Sequence, residues 1–184
     1  MDKDARRQLT DKLDRPIVLL GMMGAGKSSL GIRLADALGL SFADADNEIE
    51  KAAQMSIADI FESHGETAFR DGERRVINRL LDEAPHILAL GGGAFVNDET
   101  RALVKDKAVS IWLDVALDEL VERVGRKPGK RPLLVGQDVR AKLTELMNTR
   151  GPLYAEADLK VDVGGGTHEQ AIERLLSALA AHLA

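Results

Sequence analysis

A doubly wound α/β fold on a five-stranded parallel sheet is what this 184-residue sequence predicts, and three observations lead there. Five short apolar runs alternate with stretches of helical periodicity, the order that builds a parallel sheet with helices on both faces. The first run, Ile17-Val18-Leu19-Leu20, is continuously apolar, as suits a strand covered on both sides. A glycine-rich turn follows that run directly and opens a helix, and in such βα units ligands gather at the carboxyl ends of the strands.

The elements follow in order. Residues 1–15 are charged throughout and are expected to be a polar extension that forms a helical turn or frays; residues 16–184 form a single domain. After the first strand and the turn at 21–28, Leu30, Leu34, Ala37 and Leu38 mark a helix that Gly39 stops. Residues 40–43 read as the second strand, running into Asp44-Ala45-Asp46. Helices follow over 47–53 and 57–63, the latter capped by Ser56, then a longer one over 66–82 with Phe69, Val76, Leu80 and Leu81 on its apolar stripe. Pro85 ends it. The third strand, 86–90, runs into Gly91-Gly92-Gly93. Asn97 caps the helix carrying Leu103 and Val104, residues 108–113 make the fourth strand, and 118–124 are helical. Residues 123–136 hold Arg123, Arg126, Lys127, Lys130 and Arg131 among prolines and glycines, which reads as a mobile basic flap. Helices resume over 138–149 and after Pro152, residues 159–163 are the last strand, and 164–166 turn into a closing helix over 168–183.

Composition narrows the function. A 45% hydrophobic content at this length supports one sizeable core. The net charge of −5 and pI near 5.4 favour neither nucleic acid nor an anionic membrane, and 3% aromatics argue against a base-stacking platform. The chain has no cysteine, hence no thiolate nucleophile, disulfide framework or zinc cluster, which fits a reducing cytosol. No apolar run reaches membrane-spanning length, so no membrane partner is expected.

The turn at 21–28 reads Gly-Met-Met-Gly-Ala-Gly-Lys-Ser, two glycines spaced as a phosphate-binding loop requires, then Lys and Ser. Gly21, Gly24 and Gly26 are free to take backbone angles that turn successive N–H groups inward around phosphate oxygens. Lys27 reaches the β and γ phosphates, Ser28 supplies a hydroxyl for Mg²⁺, and the helix start faces the same anion. Asp44 and Asp46, two apart after a strand, can serve the metal and an acceptor hydroxyl. Gly91, Gly92 and Gly93 let a substrate lie against bare backbone. Arg70 alone reads as a surface ion-pair partner of Glu66 and Glu73, and Arg150 alone as a helix C-terminal cation; as a pair they match a substrate carboxylate. Arg131, ahead of Pro132-Leu133-Leu134, puts a guanidinium on a hinged loop that can close over the γ-phosphate and exclude water.

In order and spacing these stretches resemble the shikimate kinase family, of the nucleoside-monophosphate-kinase type of P-loop fold. The resemblance runs from about Pro16 to Val163. It rests on the loop at 21–28, Phe-Ala-Asp-Ala-Asp at 42–46, Ser-Ile-Ala-Asp-Ile-Phe at 56–61, Gly-Glu-Thr-Ala-Phe-Arg at 65–70, Gly-Gly-Gly-Ala at 91–94, Arg-Pro-Leu-Leu at 131–134 and Arg-Gly-Pro-Leu-Tyr at 150–154. It implies transfer of the ATP γ-phosphoryl to the 3-hydroxyl of shikimate, in aromatic amino acid biosynthesis, by a cytoplasmic monomer. Gly24, Ala25, Gly26, Lys27, Ser28 and Ser29 are then the ATP phosphate contacts, with Mg²⁺ on Ser28 and its water on Asp44. Asp46, Arg70, Gly91, Gly92, Gly93 and Arg150 face shikimate, Arg123 stacks on adenine, and Lys27, Asp46 and Arg131 carry the catalysis. Substrate binding closes a lid, about 123–137, and a helical region, about 45–72. Two other readings share the loop: a gluconate-type metabolite kinase, and a nucleotide-dependent regulatory ATPase.

Overall fold

A computed structural model of the chain describes residues 1–126 and 138–184. Five strands, β1 (Ile17–Leu20), β2 (Phe42–Asp44), β3 (Ile87–Ala89), β4 (Val109–Asp114) and β5 (Leu159–Asp162), form one sheet in the order β2-β3-β1-β4-β5. Every adjacent pair is parallel. β1 is central and wholly buried, as its unbroken apolar sequence dictates. Helices α1 (Lys3–Asp11), α2 (Lys27–Leu38) and α8 (His168–His182) contact one another on one face of the sheet. On the other lie α4 (Ile57–Leu81), α5 (Asp98–Lys107) and α7 (Val139–Tyr154), joined by a 3₁₀ turn at Ala94–Val96. α3 (Ala45–Ala53) packs on α4, and α6 (Leu117–Gly125) on α7.

Register aligns the site. Asp44 pairs with Ala89, Ala89 with Leu19, Leu19 with Ile111, and Ile111 with Leu159, so one row crosses all five strands. Gly21, Asp46 and Gly91 each lie two residues beyond that row.

The expected helix boundaries are visible in their caps. Gly39 ends α2 in the left-handed region, Ser56 accepts from the Asp59 N–H at the start of α4, and Asn97 accepts from the Thr100 N–H at the start of α5. The two helices expected over 57–63 and 66–82 meet at Gly65, whose φ of 77° and ψ of 174° break α4. Ile49, Ile60 and Phe69 form a small apolar cluster between α3 and α4, apart from the main core.

Two segments differ from expectation. The N-terminal stretch forms α1, with Leu9 and Leu13 in the main core and the Thr10 hydroxyl donating to the Leu38 carbonyl at 2.9 Å. Its two apolar anchors, Leu9 in the last turn of α1 and Leu13 just past its C-cap at Lys12, both turn inward from an otherwise charged sequence. α7 continues through Gly151 and Pro152. Proline in the last turn removes one intrahelical donor, and the tertiary contacts of Arg150 and Tyr154 hold that turn in place.

Candidate active site

The loop between β1 and α2 has the backbone its glycines predict: Gly21, Gly24 and Gly26 have φ of 146°, 86° and 94°. A Cβ on Gly21 would lie 2.8 Å from the Leu113 carbonyl oxygen, so conformation and space both require glycine there. Lys27 Nζ reaches back over the loop, donating to Gly21 O at 2.8 Å and Met22 O at 3.2 Å. Arg123 on α6 approaches the same loop, with Nη1 3.4 Å from the carbonyls of Gly24 and Ala25 and Nη2 2.5 Å from Glu119 Oε1. A groove of about 690 Å³ opens here, lined by Gly26, Ser28, Ser29, Arg123, Thr167 and His168. Ser29 Oγ lies 3.2 Å from His168 Nε2, and Thr167 caps α8 by accepting from Gln170 N–H.

Across the loop, Ser28 Oγ donates to Asp44 Oδ2 at 2.7 Å, while Asp44 Oδ1 accepts the Asp46 N–H at 3.1 Å and caps α3. A hydroxyl and a carboxylate this close suit a hard divalent cation that takes its remaining oxygens from phosphates and water. Asp46 is half-buried. Burial, and then the charge of Asp44, push its carboxyl above the ordinary carboxylate range, while Lys27 and Arg70 oppose them.

The three glycines after β3 are where Asp46, Arg150 and Arg70 converge. A Cβ at Gly91 would stand 2.6 Å from Asp46 Oδ1, at Gly92 2.9 Å from Arg150 Nη1, and at Gly93 3.0 Å from Arg70 Nη2. Each glycine therefore leaves room for one of the three side chains. Arg70 Nη1 donates to Glu73 Oε2 at 2.6 Å, its Nε lies 3.7 Å from Glu66 Oε1, and its guanidinium stands 5.1 Å from the Phe69 ring centroid. Glu73 is buried; burial raises its carboxyl and the Arg70 guanidinium opposes the rise. Arg150 Nη1 and the Tyr154 hydroxyl both donate to the Gly92 carbonyl, at 2.9 and 2.5 Å.

The structure thus brings together Asp46, Arg70, Arg150 and Gly91 to Gly93, and beside them Gly24 to Ser29, Asp44 and Arg123. Arg131 and most of the expected lid lie outside the described residues. Sequence reasoning missed the burial of Glu73 and the contact made by Tyr154. The available signal was spacing: Tyr154, the sole tyrosine, stands four residues after Arg150.

A phosphate loop beside a cluster of two guanidinium groups and a half-buried carboxylate defines an ATP-dependent phosphotransferase of the P-loop type, with a small alcohol as acceptor. Residues 23–180 match the family model described as shikimate kinase. A shikimate kinase of Caulobacter vibrioides is 59% identical over 165 residues, 90% of this chain and 82% of that one. One of Zymomonas mobilis is 50% identical over 90% of this chain and 93% of its own. Among solved structures, the shikimate kinase of Acinetobacter baumannii in complex with shikimate superposes with a TM-score of 0.86 at 32% identity, over 98% of both chains. The chain belongs to the shikimate kinase family.

Proposed function

We propose that the chain transfers the γ-phosphoryl of ATP to the 3-hydroxyl of shikimate, giving shikimate 3-phosphate and ADP. The observation that carries this reading is the packing of Asp46, Arg70 and Arg150 against the glycine triple. Two guanidinium groups suit a carboxylate, and a carboxylate beside them suits a ring hydroxyl.

The residues divide the work. Gly24 to Ser29 bind the phosphates through loop N–H groups, with Lys27 stabilising charge on the β and γ oxygens. Arg70, braced by Glu73, and Arg150, braced by Gly92, hold the acceptor carboxylate and so fix the reach of the 3-hydroxyl. Asp46 orients that hydroxyl and takes its proton late, since phosphoryl transfer passes through a loose transition state that needs positioning more than a strong base. Ser28 and Asp44 are the residues that would hold Mg²⁺, which supplies charge neutralisation at the phosphates when bound. We assign Arg131 the lid cation and Arg123 the adenine contact, supported for Arg123 by its place in the groove beside the loop. The separate apolar cluster of Ile49, Ile60 and Phe69 supports closure of residues 45–72 as a unit. A cytoplasmic monomer is proposed on the cysteine-free composition and the resemblance.

The test is acceptor-stimulated ADP release. With ATP and Mg²⁺, shikimate should accelerate it and gluconate should not; indifference to shikimate overturns the reading. Arg150→Ala should raise the KM for shikimate roughly ten- to a hundred-fold, the worth of a charged hydrogen bond, and leave the KM for ATP nearly unchanged.

A further inference from the structure

Tyr154 stands one helical turn beyond Arg150 on α7, so the two side chains leave the same face of the helix. They meet at the Gly92 carbonyl, and the Arg150 guanidinium also lies against the Tyr154 hydroxyl itself. The Gly92 carbonyl oxygen accepts from Arg150 Nη1 at 2.9 Å and from the Tyr154 hydroxyl at 2.5 Å, which engages both of its lone pairs. The peptide that follows is trans and planar, so fixing its oxygen fixes the orientation of the whole Gly92–Gly93 unit.

The tyrosine is itself held firmly. It is 1% exposed, and its ring packs against Trp112 with the ring centroids 6.1 Å apart. Burial pushes the phenol above its ordinary range, and the Arg150 guanidinium opposes that rise without cancelling it, so at neutral pH the hydroxyl is a neutral donor. Gly92 is the residue that lets the carbonyl come this close, because a Cβ there would meet Arg150 Nη1 at 2.9 Å and the Tyr154 hydroxyl at 3.8 Å.

We propose that Tyr154 is a positioning residue for acceptor binding: its hydroxyl holds the Gly92 carbonyl where one nitrogen of Arg150 can anchor on it, leaving the rest of that guanidinium aimed at the acceptor carboxylate. The inference rests on the reading of Arg150 given above and deepens it. The hydroxyl touches no reacting atom; it acts through Gly92 and Arg150. A loosened Gly92 peptide lets the guanidinium swing, and the acceptor loses its fixed partner while the phosphate loop on the neighbouring strand is unaffected.

Tyr154→Phe removes the hydroxyl and keeps the packed ring. The expected result is a KM for shikimate raised roughly five- to thirty-fold, as for a buried donor lost, with the KM for ATP within about two-fold of wild type. In an Arg150→Ala background the same change should move the shikimate KM by less than about two-fold, because coupled residues are not additive. An unchanged shikimate KM in Tyr154→Phe overturns the assignment. So does an equal rise in both KM values, which general loss of packing would produce. Should Tyr154→Phe fail to fold, Trp112→Phe keeps the hydroxyl but loosens its seat, and is read by the same ratio of KM values. A wild-type protein whose ADP release ignores shikimate overturns the reading of the site itself; a responsive wild type with a Tyr154→Phe indistinguishable from it overturns only the role of Tyr154.

Discussion

At Asp46 the demands of function and of folding pull against each other. Burial and Asp44 raise its carboxyl, yet the role proposed for it, orienting the acceptor hydroxyl, requires the ionised form. Turnover should therefore fall on acidification through a pKa above the ordinary aspartate range, and a pH–rate profile of the purified protein checks it. Asp46→Asn should lower kcat by roughly a hundred-fold or more and abolish that acid limb. The linkage sign gives a second outcome: a carboxyl raised in the folded state contributes stability below its ordinary value and loses it as pH rises through the raised one. At neutral pH the unliganded Asp46→Asn protein should accordingly melt above wild type; a lower melting temperature contradicts the account of its burial. The convergence of Asp46, Arg70 and Arg150 on the glycines was legible from a strand end for Asp46 and, for the two arginines, only from the order and spacing of the motifs. Glu73 was not, since an acid three residues from an arginine reads identically whether it faces water or the core.

Between α2 and β2 the spacing is set by Gly31, which the Phe42 ring overlies so closely that a Cβ would overlap it. Gly31→Ala should destabilise the protein by about 1–3 kcal/mol through overpacking, measured by urea unfolding; wild-type stability would show that the helix shifts freely. Gly31 gave no warning in the sequence, because a glycine in a helix looks like a propensity defect until its neighbour across the sheet is known. Strand positions and the caps at Gly39, Ser56 and Asn97 were readable, being written in local residue chemistry. The passage of α7 through Pro152 was not, because what secures it is the contact of Arg150 and Tyr154 with Gly92, far away in sequence.

Across the whole molecule, α1 belongs to the body of the fold rather than trailing from it. Leu9 and Leu13 are buried with α2 and α8, and Arg6 pairs with Glu173 at 2.9 Å. Removing residues 1–14 should lower stability by several kcal/mol, given about 1.5–3 kcal/mol for each buried leucine, while both KM values at low temperature stay unchanged. A truncated chain that melts like the full one would refute that docking. The parallel sheet, by contrast, was written in the alternation of elements, whereas its order, β2-β3-β1-β4-β5, came only from the pairing of the strands. The row through Asp44, Ala89 and Leu19 has its own consequence for how such a chain can diversify. Loop, aspartate and glycines are all counted from that line, so a length change before β3 is absorbed in the turn at Pro85, whereas one between Ala89 and Gly91 puts the glycines out of step with Asp46, Arg150 and Arg70. Chemistry at these three strand exits can therefore drift by exchange of residues but not by insertion or loss.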